Sequence, residues 1–355
     1  MDQVLRDTLA TLDLSPRDRR WISETVFAYF RWLGWLDEGR PLERRLDQTL
    51  GLADHWARRP ETFPDDELVA RAVAPWVREV MDIPAAWVRA LQRPPQLWLR
   101  ARPGTAAALA LKMGGPQVVQ PGVVADSLRY LGLLDLFRTP EFHRGEFEIQ
   151  DVASQAVGWC CRPSPGETWW DACAGEGGKT LHLADLMRNK GLLWASDRAE
   201  WRLERLRQRA ARAQVFNFRT VAWDGGANRP TGTLFDGILV DAPCSGLGTW
   251  GRNPQARWTT TPADVAELAE RQFQLLDHCA PALKPKGRLV YAVCTLTRAE
   301  TDAVADRFAA AHPELDPWPL PNPGAPADPP APRRWFWPAE TGGNGMFVAA
   351  WRRRP

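Results

Sequence analysis

Residues Thr168–Leu186, TWWDACAGEGGKTLHLADL, have a pattern that indicates the fold class of the chain. An apolar run ends in Asp171, a glycine-rich turn follows, and an apolar helical pattern begins near Gly178, so the predicted order is strand, turn and helix. Such a turn lets the backbone approach a ligand, and the amino-terminal end of a helix favours negative charge. The spacing of the glycines does not fit G-x-G-x-x-G, which disfavours a dinucleotide site and with it a nicotinamide dehydrogenase.

The alternation of strand and helix continues from about residue 151 to the end of the chain. This order predicts a doubly wound, mostly parallel sheet. The strands are predicted at 167–173, 191–197, 217–223, 235–242, 287–294 and 345–351, and the helices at 178–189, 198–213, 262–283 and 298–311. Residues 317–332, PWPLPNPGAPADPPAP, are predicted to be a Pro-rich excursion outside the regular elements.

Two further regions precede this domain, so the sequence predicts three domains, 1–93, 94–150 and 151–355. The first has helical periodicity, with a helix start at Ser15-Pro16 and further helices at 41–57, 65–80 and 84–92. The second mixes short apolar runs, many Gly and Pro, and one helical pattern near 104–113, which indicates a small α+β module.

The composition of the 355 residues is that of a globular protein, with 45% hydrophobic and 25% charged residues. No apolar run reaches the roughly 18 residues of a membrane helix, and the acidic amino terminus does not resemble a signal peptide. A cytoplasmic monomer without membrane contact is therefore expected. The formal net charge of +2 does not indicate a nucleic-acid binder, but residues 94–140 hold five basic and two acidic side chains, a local excess.

Acidic residues end three successive predicted strands after the glycine turn: Asp197, Asp224 and Asp241. The carboxyl ends of parallel strands lie at one edge of a sheet, where ligands of such folds bind. An acid about twenty residues after the glycine turn commonly binds ribose hydroxyls. Each aspartate alone is compatible with an ordinary cap or turn, but together they predict a ligand site.

Cys244 and Cys294 each follow an apolar strand and are expected at the same edge. A free cysteine is usually a small buried apolar residue, which suits Cys160, Cys161 and Cys279. At a ligand edge, a thiolate is a candidate nucleophile instead. No C-x-x-C pair is present, so no metal site and no disulfide framework is predicted.

Four motifs, in this order and spacing, resemble a known family: DACAGEGGKT, FDGILVDAPCSG, RNP and YAVCT, with the lead-in EFEIQDVASQAV and the terminal GNGMFVAAW. They look like the S-adenosylmethionine-dependent RNA cytosine-5 methyltransferases of the RsmB/Sun/Nop type. The similarity covers roughly residues 94–355. It implies a Rossmann-like class I methyltransferase domain with a mostly parallel seven-stranded sheet, preceded by the α+β module as an RNA-binding element and by a helical domain resembling the NusB-like domain of some members.

The resemblance implies roles for individual residues. Cys294 would be the nucleophile that adds to carbon 6 of a cytosine, and Cys244 would assist breakdown of the adduct. Asp241 would hold the flipped base, and Lys179 would lie against base and cofactor. Residues implied to bind S-adenosylmethionine are Cys173, Ala174, Gly175, Glu176, Gly177, Gly178, Lys179, Asp197, Asp224 and Asp241. Arg252, Asn253 and Pro254 would shape a loop facing the RNA, an rRNA or a tRNA, and Arg257 and the basic helix at 198–213 are further candidates for RNA contact.

Two positions depart from the family pattern. Gly175-Glu176-Gly177-Gly178 replaces alanine-proline-glycine-glycine and adds a negative charge, and Val293-Cys294-Thr295 replaces threonine-cysteine-serine. Two alternatives therefore stay open. One is a methyltransferase with a different acceptor, such as an exocyclic amine, although amine methylation needs no thiol adduct. The other is an RNA-binding or assembly factor that retains the fold.

Overall fold

A computed structural model describes residues 2–355, with side chains from Val4 onward. Its α-helices are α1 Asp2–Ala10, α2 Pro16–Trp32, α3 Leu42–Arg58, α4 Asp65–Arg71, α5 Val77–Val80, α6 Ala85–Leu91, α7 Ala106–Lys112, α8 Pro140–His143, α9 Val152–Cys161, α10 Gly178–Leu186, α11 Glu200–Arg212, α12 Ala256–Thr259, α13 Pro262–Cys279, α14 Asp302–Ala311 and α15 Pro338–Thr341. Among the described residues, no helix combines the length and apolarity needed to cross a bilayer.

The strands form two sheets. They are β1 Leu97–Ala101, β2 Val119–Pro121, β3 Ser127–Tyr130, β4 Phe147–Ile149, β5 Thr168–Asp171, β6 Leu192–Asp197, β7 Phe218–Ala222, β8 Phe235–Asp241, β9 Leu283–Val293, β10 Leu315–Pro317, β11 Arg333–Phe336 and β12 Met346–Arg353. The first four make an antiparallel sheet in the order β2-β3-β1-β4, and the others make the large sheet.

The chain divides into two compact units, one up to Pro95 together with Gly246–Asp264, and one of Gln96–Ser245 with Val265–Pro355. This division differs from the three predicted domains in two respects. Residues 246–264 belong to the first unit because Arg257 is fully buried there, where its guanidinium donates to the carbonyls of Trp250, Arg31, Ala72 and Leu91. The predicted module at 94–150 shares a unit with the large sheet.

The first unit is helical, as predicted. The Ser15 hydroxyl accepts a hydrogen bond from the Asp18 amide at 3.1 Å and caps α2 at the predicted start. The helix predicted over 65–80 is wrong as a single element, because α4 ends at Arg71 and α5 begins at Val77. Pro75 lies between them and lacks the amide hydrogen that a continuous helix needs.

The four-stranded sheet has its own apolar core and forms the predicted α+β arrangement. Its local positive charge is largely neutralised within the second unit. Arg100 and Arg102 both pair with Asp185 of α10, which is buried, and Lys112 pairs with Glu146 at 2.8 Å. Arg100 and Arg102 therefore hold the small sheet in place, while Arg138 is 88% exposed beside Asp135, so the RNA-binding role of residues 94–150 stays a prediction.

The large sheet has the order β10-β12-β9-β8-β5-β6-β7, with β11 also paired to β12. The strands β5 to β9 are parallel to their neighbours, and β12 is antiparallel to β9. This confirms a Rossmann-like α/β fold. The sheet has eight strands rather than the predicted seven, because β10 and β11 pair with different parts of the same edge of β12 on either side of the Pro-rich segment.

Helices cover both faces of the large sheet. Successive side chains of a strand point to opposite faces, so Trp169 packs in one apolar core and Trp170 in the other. Gly237 of β8 provides the space for Trp169, since a β-carbon there would lie 2.3 Å from its ring. All five strands from β5 to β9 deliver their carboxyl ends to the edge where the candidate site lies.

A candidate active site at the carboxyl edge of the large sheet

The glycine-rich turn joins β5 to α10 in the second unit. Gly175 and Gly177 adopt φ angles of +54° and +85°, which residues with a β-carbon rarely adopt. A β-carbon at Gly177 would also lie 2.5 Å from Leu206 of α11. The turn therefore packs closely against α11, and its backbone at Gly175 is accessible to a ligand at the sheet edge.

Glu176, the departure from the family pattern, is paired rather than free. Its carboxylate lies 3.0 Å from the Arg205 guanidinium, and its carbonyl accepts a hydrogen bond from Arg209 at 2.9 Å. The extra negative charge is thus balanced by α11, and it does not by itself repel a cofactor from the turn.

A cavity of about 410 Å³ opens beside this turn. Of the residues predicted to bind the cofactor, it is lined by Cys173, Ala174, Gly175, Glu176, Asp197, Asp224 and Asp241. Gly177, Gly178 and Lys179 do not line it. Sequence reasoning missed Arg198, Arg202, Trp223 and Arg271, which also form its wall.

The carboxylate of Asp197 organises this cavity. One oxygen accepts from the Gly175 amide at 3.1 Å and the other from the Ala199 amide at 2.9 Å. Each carboxylate oxygen can accept more than one hydrogen bond, so both keep capacity for ligand hydroxyls. Asp224, by contrast, is exposed, and its side chain accepts from the Gly226 amide at 2.8 Å.

Lys179 and Asp241 form an ion pair of 2.6 Å between the start of α10 and the end of β8. Burial by itself lowers the pKa of Lys179, but the charge and hydrogen bond of Asp241 raise it above its usual value. The ammonium group therefore stays charged at neutral pH. The chain has only five lysines, so a lysine next to the glycine-rich turn is conspicuous in the sequence.

The structure brings Cys244 and Cys294 together, with their Sγ atoms 3.2 Å apart. The pKa of Cys294 is lowered below its usual value. The main cause is the hydrogen bond with Cys244, supported by the charge of Lys179, while burial and Asp241 act in the opposite direction. None of the six cysteines forms a disulfide, and no cluster of potential metal ligands occurs among the described residues.

Glu300 holds the loops that carry both cysteines, and sequence reasoning missed it. Its fully buried carboxylate accepts from the Ser245 amide at 2.8 Å and from the Ser245 hydroxyl. It also accepts from Thr295 at 3.1 Å and from Gln272 at 3.0 Å. Since Ser245 and Thr295 directly follow the two cysteines, one carboxylate fixes both loops.

The predicted RNA-facing residues belong to the first unit, whereas Cys244 and Cys294 belong to the second. Arg252 and Asn253 are exposed, but Pro254 is buried and shapes the loop from within. Arg257 was a candidate for RNA contact and is fully buried, which excludes direct contact through its side chain.

The arginines of α11 are engaged by carboxylates. Arg207 pairs with Glu200 at 2.7 Å and with Glu204 at 2.8 Å. Arg209 pairs with the buried Glu148 at 2.9 Å, and Arg212 pairs with the same side chain. These arginines are paired with carboxylates of other elements as well as with those of α11, but Arg202, Arg205 and Arg207 stay 40–58% exposed, so their contact with RNA stays a prediction.

The sheet order, the glycine turn and the aspartate-lined cavity define a Rossmann-like methyltransferase fold. The family model described as 16S rRNA methyltransferase RsmB/F matches residues 159–352, more than half of the chain. The chain belongs to this family.

Known proteins agree with this assignment. A Synechocystis protein named "Probable ribosomal RNA small subunit methyltransferase B" is 42% identical over 49% of this chain and 39% of its own length. The chain thus spans well under half of that relative. A methyltransferase homolog from Pyrococcus horikoshii superposes with a TM-score of 0.64 at 27% identity, covering 76% of this chain and 90% of that one. NSun6 from Pyrococcus horikoshii, solved with the S-adenosylmethionine analogue SFG, gives a TM-score of 0.55 at 26% identity over 63% of this chain and 57% of that one.

Proposed function

We propose that this protein transfers a methyl group from S-adenosylmethionine to carbon 5 of a cytosine in ribosomal RNA through a covalent adduct with Cys294. The observation that carries the proposal is the pair of thiols 3.2 Å apart, beside the ion pair of Lys179 and Asp241. The names of relatives favour small-subunit rRNA over tRNA.

The residues that line the cavity beside the glycine turn offer hydrogen-bonding and apolar groups that suit S-adenosylmethionine. The two oxygens of Asp197 suit ribose hydroxyls, and the Trp223 ring offers an apolar wall for the adenine. Asp224 is placed to accept from the adenine amine, and the turn from Cys173 to Glu176 would receive the methionine part. When bound, the cofactor supplies an electrophilic methyl group.

The residues of the chain account for the rest of the chemistry. Carbon 5 of cytosine is a poor nucleophile, so the Cys294 thiolate first adds to carbon 6 and forms a carbon–sulfur bond. The electron pair displaced onto the base makes carbon 5 nucleophilic, and carbon 5 then takes the methyl group. The proton on carbon 5 would then pass to a basic group or a water molecule, the electron pair left behind would expel Cys294 as a thiolate, and Cys244 would assist this breakdown of the adduct.

Asp241 and Lys179 are placed to support the addition. Asp241 would accept a hydrogen bond from the amino group of the base and share a proton with its ring nitrogen, and the protonated ring nitrogen would draw electron density from carbon 6. The positive charge of Lys179 stabilises the thiolate before attack and is retained by its pairing with Asp241. The target base has to leave its stack to reach these groups, so a single-stranded or looped RNA is the expected substrate.

The two-thiol arrangement disfavours an exocyclic amine as acceptor, because such an amine attacks a methyl group directly. The pairing of Glu176 with Arg205 balances the extra charge of the glycine turn, which supports cofactor binding over the alternative of a non-catalytic assembly factor.

The proposal is tested by incubating the full chain with S-adenosylmethionine and small-subunit rRNA, followed by bisulfite sequencing. We expect 5-methylcytosine at a defined position with the wild-type chain and none with Cys294→Ala. Cys160→Ala is the matched control, since this buried thiol packs in an apolar core away from the cavity lining and should leave methylation intact. Methylation of an exocyclic amine, or full activity of Cys294→Ala, would overturn the proposal.

A further inference from the structure

The first unit contains a cavity of about 630 Å³ that no step of the proposed reaction uses. It lies between α2 and α3 and is closed by Pro94, Pro95 and the loop of Arg252 and Asn253. Its volume is within the range of pockets that hold a small organic ligand. Its wall is mixed, with aromatic and aliphatic side chains from the two helices and several arginines.

Arg31 is the unusual member of this wall. Its side chain is 6% exposed, its Nε has no hydrogen-bond partner, and within residues 4–355 no carboxylate lies within 4.0 Å of its guanidinium. Burial lowers the pKa of Arg31 to about 10, yet the group remains a cation at neutral pH. A buried charge without a counterion is costly, and an anion in the cavity would supply the missing partner.

The other wall residues indicate what kind of anion fits. Trp21 is 57% exposed at the edge of the cavity, an unusual position for a large aromatic ring on a helix. Arg20 and Arg252 add two exposed cations, and Glu24 contributes one negative charge. Three arginines around an exposed aromatic ring are the combination that binds single-stranded nucleic acid, through phosphate pairing and base stacking.

We propose that this cavity binds a single-stranded RNA segment, with a phosphate paired to Arg31 and a base against Trp21. The proposal rests on the proposed function only in taking RNA as the substrate. It assigns the first unit a binding site of its own, in which Arg252 and Asn253 form one wall, whereas the family motif alone implied only a loop facing the RNA.

The test uses the full chain and a fluorescein-labelled single-stranded oligoribonucleotide of mixed sequence, followed by anisotropy at several salt concentrations. Trp21→Ala should weaken binding about tenfold, the loss expected for one stacked base. Leu42→Ala is the matched control, because Leu42 is 52% exposed on α3 and does not line the cavity. Its affinity should equal that of the wild-type chain.

The phosphate contact has its own readout. Arg31→Met should reduce the slope of log K against log salt by about 0.7, the value for one phosphate of a single strand. Arg44→Ala, an exposed arginine of α3 outside the cavity, should leave the slope unchanged. Should Arg31→Met prove unstable in a thermal melt, Arg20→Ala tests the same contact region from the surface.

The outcomes separate this site from the proposed function. Unchanged affinity and slope in Trp21→Ala and Arg20→Ala, with normal methylation by the wild-type chain, would overturn the cavity proposal alone. RNA binding that depends on Trp21 without any methylation would overturn the proposed function alone. Binding of a poly-glutamate peptide that depends on Trp21, with no effect on RNA, would show that the cavity takes an acidic protein segment and would also overturn the RNA proposal.

Discussion

The Sγ atom of Cys244 lies 3.2 Å from the Sγ atom of Cys294, although fifty residues separate them in the chain. The contact follows from the sheet. The strands β8 and β9 are parallel neighbours, and each cysteine lies just beyond the carboxyl end of its strand. Because one thiol can donate to the other, the pair stabilises a thiolate at the position where the proposed reaction needs a nucleophile.

Replacement of Cys244 should raise the pKa of Cys294. The hydrogen bond between the thiols is the main cause that lowers this pKa, so Cys244→Ala removes it, whereas Cys244→Ser keeps a donor. The rate of Cys294 alkylation by iodoacetamide, followed by peptide mass spectrometry across pH, measures the shift. The midpoint should move to higher pH in Cys244→Ala and much less in Cys244→Ser. Equal midpoints in the wild-type chain and Cys244→Ala would contradict this.

Lys179→Met should slow methyl transfer most strongly at low pH. The variant loses the positive charge that lowers the Cys294 pKa and leaves Asp241 without its partner, so less thiolate is present at neutral pH. We expect kcat/KM at pH 7 to fall on the order of 10²-fold, with partial recovery as pH rises. Lys190→Met, on an exposed lysine, provides the comparison. A pH–rate profile with an unchanged midpoint would argue against an electrostatic role for Lys179.

Glu300→Gln should impair catalysis through the two cysteine loops. A glutamine places an N–H group where the carboxylate accepts several hydrogen bonds, so at least one contact with Ser245, Thr295 or Gln272 is lost. We expect kcat to fall on the order of 10²-fold by misplacement of the thiols, with the Kd of S-adenosylmethionine unchanged. Calorimetry and the Cys294 alkylation profile measure these effects, and Glu270→Gln on the exposed face of α13 is the control. Equal losses of cofactor affinity and kcat would indicate a general structural role instead.

Asp171 should make the second unit less stable as pH rises. Burial raises the pKa of Asp171 to about 7, although the Thr180 hydroxyl donates to one oxygen at 2.7 Å. Between the unfolded pKa of about 4 and the folded pKa, the native state holds a proton that the unfolded state has lost, so the free energy of unfolding falls over this window. Asp171→Asn cannot ionise, and its stability relative to the wild-type chain should increase from pH 5 to pH 8. Urea unfolding at pH 5 and at pH 8 measures this difference, with Asp328→Asn as the exposed control. If Asp171 were ionised at both pH values, the stability of Asp171→Asn relative to the wild-type chain would not change between them.

The large sheet could be predicted because its strands are continuous apolar runs and its turns carry glycine or acidic residues. The positions of Asp197, Asp241, Cys244 and Cys294 followed from strand ends alone, since parallel strands deliver them to one edge. The strands β10 and β11 were not predicted, because each is short and their pairing depends on β12 rather than on local sequence.

Long-range contacts explain what else sequence reasoning missed. Glu300 follows a Thr-Arg-Ala run in the sequence like any helix-start acid, and only the tertiary structure places its carboxylate under Ser245 and Thr295. Arg257 looked like a surface cation near a motif, and its burial depends on carbonyls supplied by three distant helices. The ion pairs of the α11 arginines were likewise not predicted, because partners such as Glu148 are remote in sequence.

Capture of the covalent intermediate would distinguish an adduct on Cys294 from direct methylation of the base. The Cys244→Ala variant is incubated with S-adenosylmethionine and small-subunit rRNA, digested with nuclease and protease, and analysed by mass spectrometry. We predict a methylated cytidine attached to the peptide that contains Cys294, and its absence when Cys294 is also replaced by Ala. Free 5-methylcytosine formed by the Cys244→Ala, Cys294→Ala double variant, with no adduct on any peptide, would contradict covalent catalysis by Cys294.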